Sequence, residues 1–245
     1  MARSRAEAQA LIHAGEVELD GNRRLKPGQM VATDAPVAVL AKPRWASRAG
    51  VKLEAALDAF QIDATGLAAL DAGASTGGFT DVLLARGARI VYAVDVGRAQ
   101  LVDRLRRDPR VVSMERTNLR HLRELPERIQ LATLDLSFIS LGLVLTAVRD
   151  LLAKDGLVVA LVKPQFEAGR DDVPRGGVVR EPDTWRRVLS GVAGSADQIN
   201  LRPLRVVRSP LPGTDGNIEF LMLLQANGTV TDIRAQVEAA VNDSA

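Results

Sequence analysis

The sequence predicts an α/β protein: a mostly parallel, seven-stranded sheet that ends in an antiparallel hairpin, preceded by a small α+β module. Three observations carry this. From residue 49 onward, short apolar runs alternate with amphipathic stretches, the pattern of strands joined by crossover helices. Leu70-Asp71-Ala72-Gly73-Ala74-Ser75-Thr76-Gly77-Gly78-Phe79-Thr80 reads as a buried strand, a glycine turn and a helix start. Finally, Leu201 to Arg208 and Ile218 to Leu224 read as strands joined by a segment too short for a crossover helix, so they pair antiparallel.

In chain order, Ser4 to Ala14 is expected to form a short amphipathic helix capped by Ser4 and ended by Gly15. Glu16 to Leu19, Val31 and Val37 to Leu40 offer short strands, with a hairpin-type turn at Asp20-Gly21-Asn22. Residues 1–41 form this module and 42–48 a linker. Residues 49–225 form the main domain, and 226–245 a polar tail with a weak helix. Within the main domain, Ala49 to Phe60 is a helix that exposes Lys52 beside an apolar face. Strands are expected near 68–71, 89–95, 111–114, 131–135 and 157–163, with helices at 79–86, 141–153 and 184–198.

Composition limits the function classes. There are no cysteines and only His13 and His121, so no disulfide framework is available and a histidine or thiolate metal site is not expected. The net charge is +2. Residues 1–50 hold eight Lys/Arg against five Asp/Glu, a local excess that suits a nucleic-acid surface or a merely solvated face. No apolar run approaches the roughly 20 residues of a membrane span, and the N-terminus lacks a signal-peptide pattern. These features point to a soluble, intracellular, cytoplasmic protein.

The glycine turn and the acid ending the next strand, Asp95, form a nucleotide-type pocket. A dinucleotide site has a second glycine where Ser75 stands, to admit pyrophosphate at the helix start. S-adenosyl-L-methionine has a ribose but no phosphate, and it suits this unit better, with Asp71 near its ammonium and Asp95 near its ribose. A tight turn with no ligand is the plain alternative. Asp135 and Lys163 end two further strands, and Glu219 begins the last, antiparallel strand, which brings it to the same sheet edge. Only five of the 32 basic residues are lysines, so two at pocket positions, Lys52 and Lys163, suggest a need for a compact ammonium.

Several segments resemble known families. Ser4 to Gln9, Ile12, Gly15, Val17 to Gly21 and Lys26-Pro27-Gly28 resemble the latter part of an S4-type RNA-binding domain, shortened by its first helix. Lys52, Asp135, Lys163 and Glu219 are similar to the Lys-Asp-Lys-Glu set of FtsJ-type RNA 2′-O-ribose methyltransferases. Adding Glu115 to Asn118, Asp135 to Ser140, Val162 to Glu167 and Gly216 to Glu219, nearly the whole chain resembles the TlyA (hemolysin A) family of ribosomal RNA methyltransferases.

That resemblance implies a Rossmann-like fold, S-adenosyl-L-methionine as cofactor, no metal, and ribosomal RNA or ribosomal subunits as partner, with cytidine as the target. It implies Gly73, Ser75, Gly77 and Asp95 in the cofactor pocket and Asn118 near the adenine. Lys163 would contact the 2′-oxygen as base or as charged positioner, Lys52 and Glu219 would orient it, and Asp135 would stand between Lys163 and the cofactor. Arg5, Arg23, Arg44 and Arg48 are candidate RNA contacts. Trp45 either stacks on RNA or packs domains together, and Phe166 either stacks on an extruded base or packs in the core. Competing readings are a membrane-active hemolysin, an RNA-binding protein with an inactive methyltransferase fold, and a nicotinamide enzyme.

Overall fold

The computed structural model describes residues 2, 5, 8, 9, 12, 17–21, 25–39, 44–169, 172–213, 215–229 and 232–243. The chain divides into two compact units, Met1–Arg44 and Trp45–Ala245. In the first, β1 (Val17–Leu19) pairs antiparallel with β2 (Val37–Val39), in the register Val17 opposite Val39. Arg5, Ala8, Gln9 and Ile12 are helical, and Val31 lies outside any strand.

The second unit begins with α1 (Ala49–Phe60), followed by β3 (Ala68–Ala72), α2 (Gly78–Ala85), β4 (Ile90–Val94), the short α3 (Asp103–Arg106) and β5 (Val111–Met114). Then come β6 (Ile129–Leu134), α4 (Leu145–Leu151), β7 (Leu152–Val162), the single turn α5 (Pro164–Glu167), α6 (Pro182–Asp197), β8 (Leu201–Arg208), β9 (Phe220–Ala226) and α7 (Arg234–Asn242). The strands form one seven-stranded sheet in the order β5-β4-β3-β6-β7-β9-β8. All pairings are parallel up to β7, and those of β9 with β7 and β8 are antiparallel. Strand order reverses between β3 and β6, the point where open α/β sheets open a crevice beyond their carboxyl ends.

The sheet is buried on both faces, and side-chain alternation sorts its residues. Ala68, Leu70, Ala72, Val158, Ala160, Val162, Phe220 and Met222 join the core beneath α4, α6 and α7. Ala69, Leu131, Val159, Leu161, Leu221 and Leu223 join the core beneath α1 and α2, with Leu53, Leu57, Phe79 and Leu83. The same parity continued past the strand ends puts Asp71, Asp135, Lys163 and Glu219 on the α1 side. On α1, Lys52 was expected to be exposed and is instead buried, because it heads the inward stripe Lys52, Ala56, Phe60 at four-residue spacing and pairs with Glu219.

Two elements differ from expectation. The helix over 141–153 ends at Leu151, because Leu152 already pairs with Ile129 of β6. Gly156 lets the two strands close up, since a Cβ there would lie 2.9 Å from the Ile129 carbonyl oxygen. The segment read as a polar tail contains α7, which buries Val237, Ala240 and Val241. Its Gln236 accepts a hydrogen bond from Val206 N–H (3.2 Å) and donates to the Leu204 carbonyl (2.9 Å), satisfying backbone groups of the edge strand β8.

Candidate active site

The glycine turn after β3 is fixed by its own amides. Gly73 and Ala74 N–H donate to the Val94 carbonyl at 2.8 and 3.2 Å, and Gly77 N–H donates to Ala74 at 2.7 Å. Ser75 N–H donates to Asp95 Oδ2 (2.8 Å), and Gly97 N–H donates to Asp95 Oδ1 (2.7 Å). Gly73 holds φ +84°, and a Cβ on it would collide with the Asp135 carbonyl oxygen. Backbone of β3 and of β6 therefore meet with no room for a side chain, and a cavity of about 480 Å³ opens beside them.

Gly73, Ser75, Asp95, Asn118 and Asp135 line that cavity, with Val96, Leu119, Leu136 and Ile139 as apolar walls. Its size lies within the roughly 300–1,000 Å³ of small-molecule sites. The amides of Gly73, Ala74, Ser75 and Gly77 are committed within the protein, and the carboxylates of Asp95 and Asp135 favour a cationic ligand over a pyrophosphate. These residues therefore fit S-adenosylmethionine. Asp95 has acceptor capacity left for ribose hydroxyls, and Asn118, whose Oδ1 accepts Arg120 N–H at 3.0 Å, has its amide nitrogen for an adenine ring.

Two expected cofactor residues, Asp71 and Gly77, do not line this cavity. Asp71 is fully buried under the turn, where its carboxylate accepts hydrogen bonds from Thr80 Oγ1 (2.6 Å) and Thr133 Oγ1 (3.4 Å). It ties β3 to α2 and β6 rather than meeting an ammonium. Gly77 (φ +99°) faces Leu101 and Leu105, not the cavity; its left-handed backbone starts α2.

Burial raises the Asp71 carboxyl to about 7, against the pull of Thr80 and with the nearby Asp135 charge adding to the rise. The folded chain thus keeps a proton that an unfolded chain releases near 3.8. Stability must fall as pH rises between those values, because the folded state binds more protons there. An Asp71→Asn variant retains an acceptor for Thr80 and has no such proton to lose. Urea titrations from pH 4 to 8 should show a flatter pH dependence for the variant, by on the order of a few kcal/mol across the range; parallel curves would mean that Asp71 is already ionised in the folded chain.

A second cavity, of about 320 Å³, shares Gly73, Ser75, Asp135 and Ser137 with the first and adds Arg48, Lys52, Lys163, Gly213 and Glu219. All four candidate reaction residues meet here as two ion pairs. Lys163 Nζ lies 2.7 Å from Asp135 Oδ1 and also donates to Ser137 Oγ at 3.0 Å. Lys52 Nζ pairs with Glu219 Oε2, and both side chains are nearly inaccessible. Pairing is what permits two lysines and two acids to be buried together.

The candidate RNA contacts divide. Arg5 and Arg44 are exposed in the first unit, Arg48 is exposed on the second cavity's wall, and Arg23 lies outside the described residues. Trp45 is a correction to the stacking alternative: it is buried in the α1–α2 core, and its Nε1 donates to Glu54 Oε2 at 3.1 Å. Gly50 leaves room for its indole. Phe166 is half-buried, its ring 4.9 Å from that of Phe138 and 5.9 Å from Lys163 Nζ.

Ser137 and Phe138 were not singled out by sequence. Phe138 is 90% exposed on a left-handed backbone (φ +62°), an unusual state for a bulky residue. Their signals were membership in the family segment Asp135 to Ser140 and a place directly beyond a strand that ends in the crevice.

Comparison with known proteins agrees with this geometry. Residues 45–226 match the model of the FtsJ-like methyltransferases. The chain is 47% identical over 231 residues to the 16S/23S rRNA (cytidine-2′-O)-methyltransferase TlyA of Mycobacterium tuberculosis, covering 92% of this chain and 85% of that one. It is 38% identical to Hemolysin A of Brachyspira hyodysenteriae, over 89% of this chain and 92% of that one. A solved structure from Streptococcus thermophilus, described as a candidate hemolysin, superposes with a TM-score of 0.81 at 40% identity, covering 98% of this chain and 90% of that one. With its glycine turn, paired lysines and acids and near full-length likeness to these proteins, the chain belongs to the TlyA family of FtsJ-like methyltransferases.

Proposed function

We propose that this chain transfers the methyl group of S-adenosylmethionine to a ribose 2′-hydroxyl of ribosomal RNA, with cytidine as the target nucleoside. The observation that carries the reading is the pair of cavities that share one wall. The first fits the methyl donor, and the second holds Lys52, Lys163 and Glu219, so donor and acceptor meet at Asp135 and Ser137. The M. tuberculosis relative, named for cytidine-2′-O methylation of 16S and 23S rRNA, supports the substrate. Such a substrate places the working protein in the cytoplasm.

When bound, S-adenosylmethionine supplies a methyl group activated on a sulfonium. The chain's part is to hold a ribose oxygen in line with it, which is where most of the rate gain of such a transfer arises. Two of the three N–H directions of Lys163 go to Asp135 and Ser137, which leaves the third for the 2′-oxygen. Lys163 therefore acts as a charged positioner, the 2′-hydroxyl proton passes to solvent as the oxygen–methyl bond forms and the sulfur–methyl bond breaks, and the Lys52–Glu219 pair lines the ribose side of the cavity. Phe138 and Phe166 offer aromatic surface at the cleft for an unstacked base. Arg48 lines the second cavity, Arg116 and Arg120 flank in sequence the Thr117–Leu119 wall of the first, and all three are exposed and suit flanking phosphates. The first unit serves as an RNA-capturing, S4-like module, supported by its sequence motifs.

The test is transfer of labelled methyl from S-adenosylmethionine to purified ribosomal subunits, followed by alkaline hydrolysis. Label should remain in alkali-resistant dinucleotides, because a 2′-O-methyl blocks cleavage of the adjoining phosphodiester. Label released in mononucleotides would mean base methylation, and no label despite cofactor binding would refute the activity. No helix among the described residues is long and apolar enough to cross a membrane, and no feature of the site favours a hemolytic reading.

A further inference from the structure

The segment Gly216-Asn217-Ile218-Glu219 contains a buried polar side chain that methyl transfer does not itself use. Asn217 is 1% exposed. Its Oδ1 accepts the Val179 N–H at 2.9 Å, and its Nδ2 donates to the Gly177 carbonyl at 2.9 Å. Its own carbonyl accepts the N–H of Gly213, a wall residue of the second cavity, at 2.9 Å. One side chain thus joins the Gly177–Val179 loop to the hairpin that delivers Glu219.

The loop is held from its other side as well. Trp185 of α6 donates from Nε1 to the Val179 carbonyl at 3.2 Å, and its ring packs edge-on against Phe220 at 5.9 Å. Phe220 follows Glu219 directly. A closed circuit results: Asn217 to Val179, Val179 to Trp185, Trp185 to Phe220, and back to Glu219. Where the connection from Ser209 to Ile218 leaves the sheet, Ser209 N–H donates to the Glu219 carbonyl at 2.9 Å, and beyond that bond the described residues include Gly213 and a left-handed Gly216. To these backbone bonds the Asn217 side chain adds two more, which tie the connection to the Gly177–Val179 loop.

We infer that Asn217 is a positioning residue: through Gly177 and Val179 it fixes the Glu219 carboxylate, and with it the Lys52 ammonium, at the ribose side of the cleft. The inference rests on the methyl-transfer reading, since it gives the Lys52–Glu219 pair a task. Misplacement of a reacting partner by about 1 Å can cost on the order of 100-fold in rate, and loss of the anchor acts at that scale.

The experiment compares the full chain with Asn217→Ala and with Trp185→Phe, which keeps an aromatic ring on the Phe220 side and removes the indole donor together with part of the ring volume. For Asn217→Ala, kcat for methyl transfer should fall by about 10- to 100-fold, with KM for RNA and cofactor affinity by calorimetry unchanged. Trp185→Phe should fall in the same direction by less. Amide exchange at Val179 should accelerate, and the Lys52 ammonium resonance in NMR should shift, in Asn217→Ala. A native kcat, a loss of rate matched by lost cofactor affinity and melting temperature, or an unmoved Lys52 resonance would overturn the inference. If the unaltered chain methylates no RNA, the methyl-transfer reading fails, and the Val179 and Lys52 signals still decide whether Asn217 holds the pair.

Discussion

Replacing Lys163 with alanine is expected to lower methyl transfer by about 100- to 1,000-fold, the range for loss of one preorganised donor at a reacting oxygen, while cofactor affinity stays native. The separation follows from where the side chain lies. Lys163 follows β7 at 8% exposure and lines only the second of the two cavities, whereas the walls of the first come from the β3 turn, Asp95, Asn118, Asp135 and the loop after it. Removing the ammonium takes away the one N–H left for the ribose oxygen and frees Asp135 to rotate. Lys163→Arg should not restore the rate, because a planar guanidinium is bulkier and its fork does not reproduce the tetrahedral donors that reach both Asp135 and Ser137. Single-turnover transfer and calorimetry on the same preparations check this. A near-native rate in Lys163→Ala would remove the residue from the reaction, and a parallel loss of cofactor affinity would assign it to binding instead.

Much of this site was legible because its residues sit at strand ends. Apolar runs locate strands, strand termini locate the crevice, and a period of two then puts Asp135, Lys163 and Glu219 on one side of the sheet. What the pattern could not decide was depth. Asp71 and Asp95 both end strands beside the same turn, yet one is sealed beneath it by Thr80 and the other stands on the cavity wall. Only the path of the turn separates them. Trp45 illustrates a different limit: basic residues around a tryptophan fit an RNA-stacking segment equally well until an acceptor is found inside, here Glu54 one helix turn beyond Gly50. The last helix was understated because few of its residues turn inward, so its sequence stays polar although it covers a sheet edge. Phe138 was invisible as a site residue, since a left-handed backbone at a non-glycine position leaves no mark in composition.

Gly73→Ala should have the broader effect, abolishing cofactor binding and transfer together. Gly73 lines both cavities and sits where β3 and β6 are locked side by side: its N–H donates to Val94, and Asp135 N–H donates to the Ala72 carbonyl at 2.9 Å. A Cβ there would strike the Asp135 carbonyl oxygen, lie 3.0 Å from its carbonyl carbon and lie 3.2 Å from Leu136 Cδ2. Backbone cannot rotate out of the way, so relief requires moving Asp135, which also orients Lys163. The left-handed φ adds about 1–2 kcal/mol to an overpacking cost of about 1–3 kcal/mol, a substantial part of the roughly 5–15 kcal/mol that holds a domain folded. Gly77→Ala provides the contrast. It shares the left-handed strain, but its Cβ would meet side-chain tips of Leu101 and Leu105 and not backbone, so relief there does not require moving Asp135. Its melting temperature should fall while its cofactor affinity changes far less than that of Gly73→Ala. Equal loss of affinity in both would mean that the turn's conformation as a whole, and not the contact between Gly73 and Asp135, shapes the cofactor site.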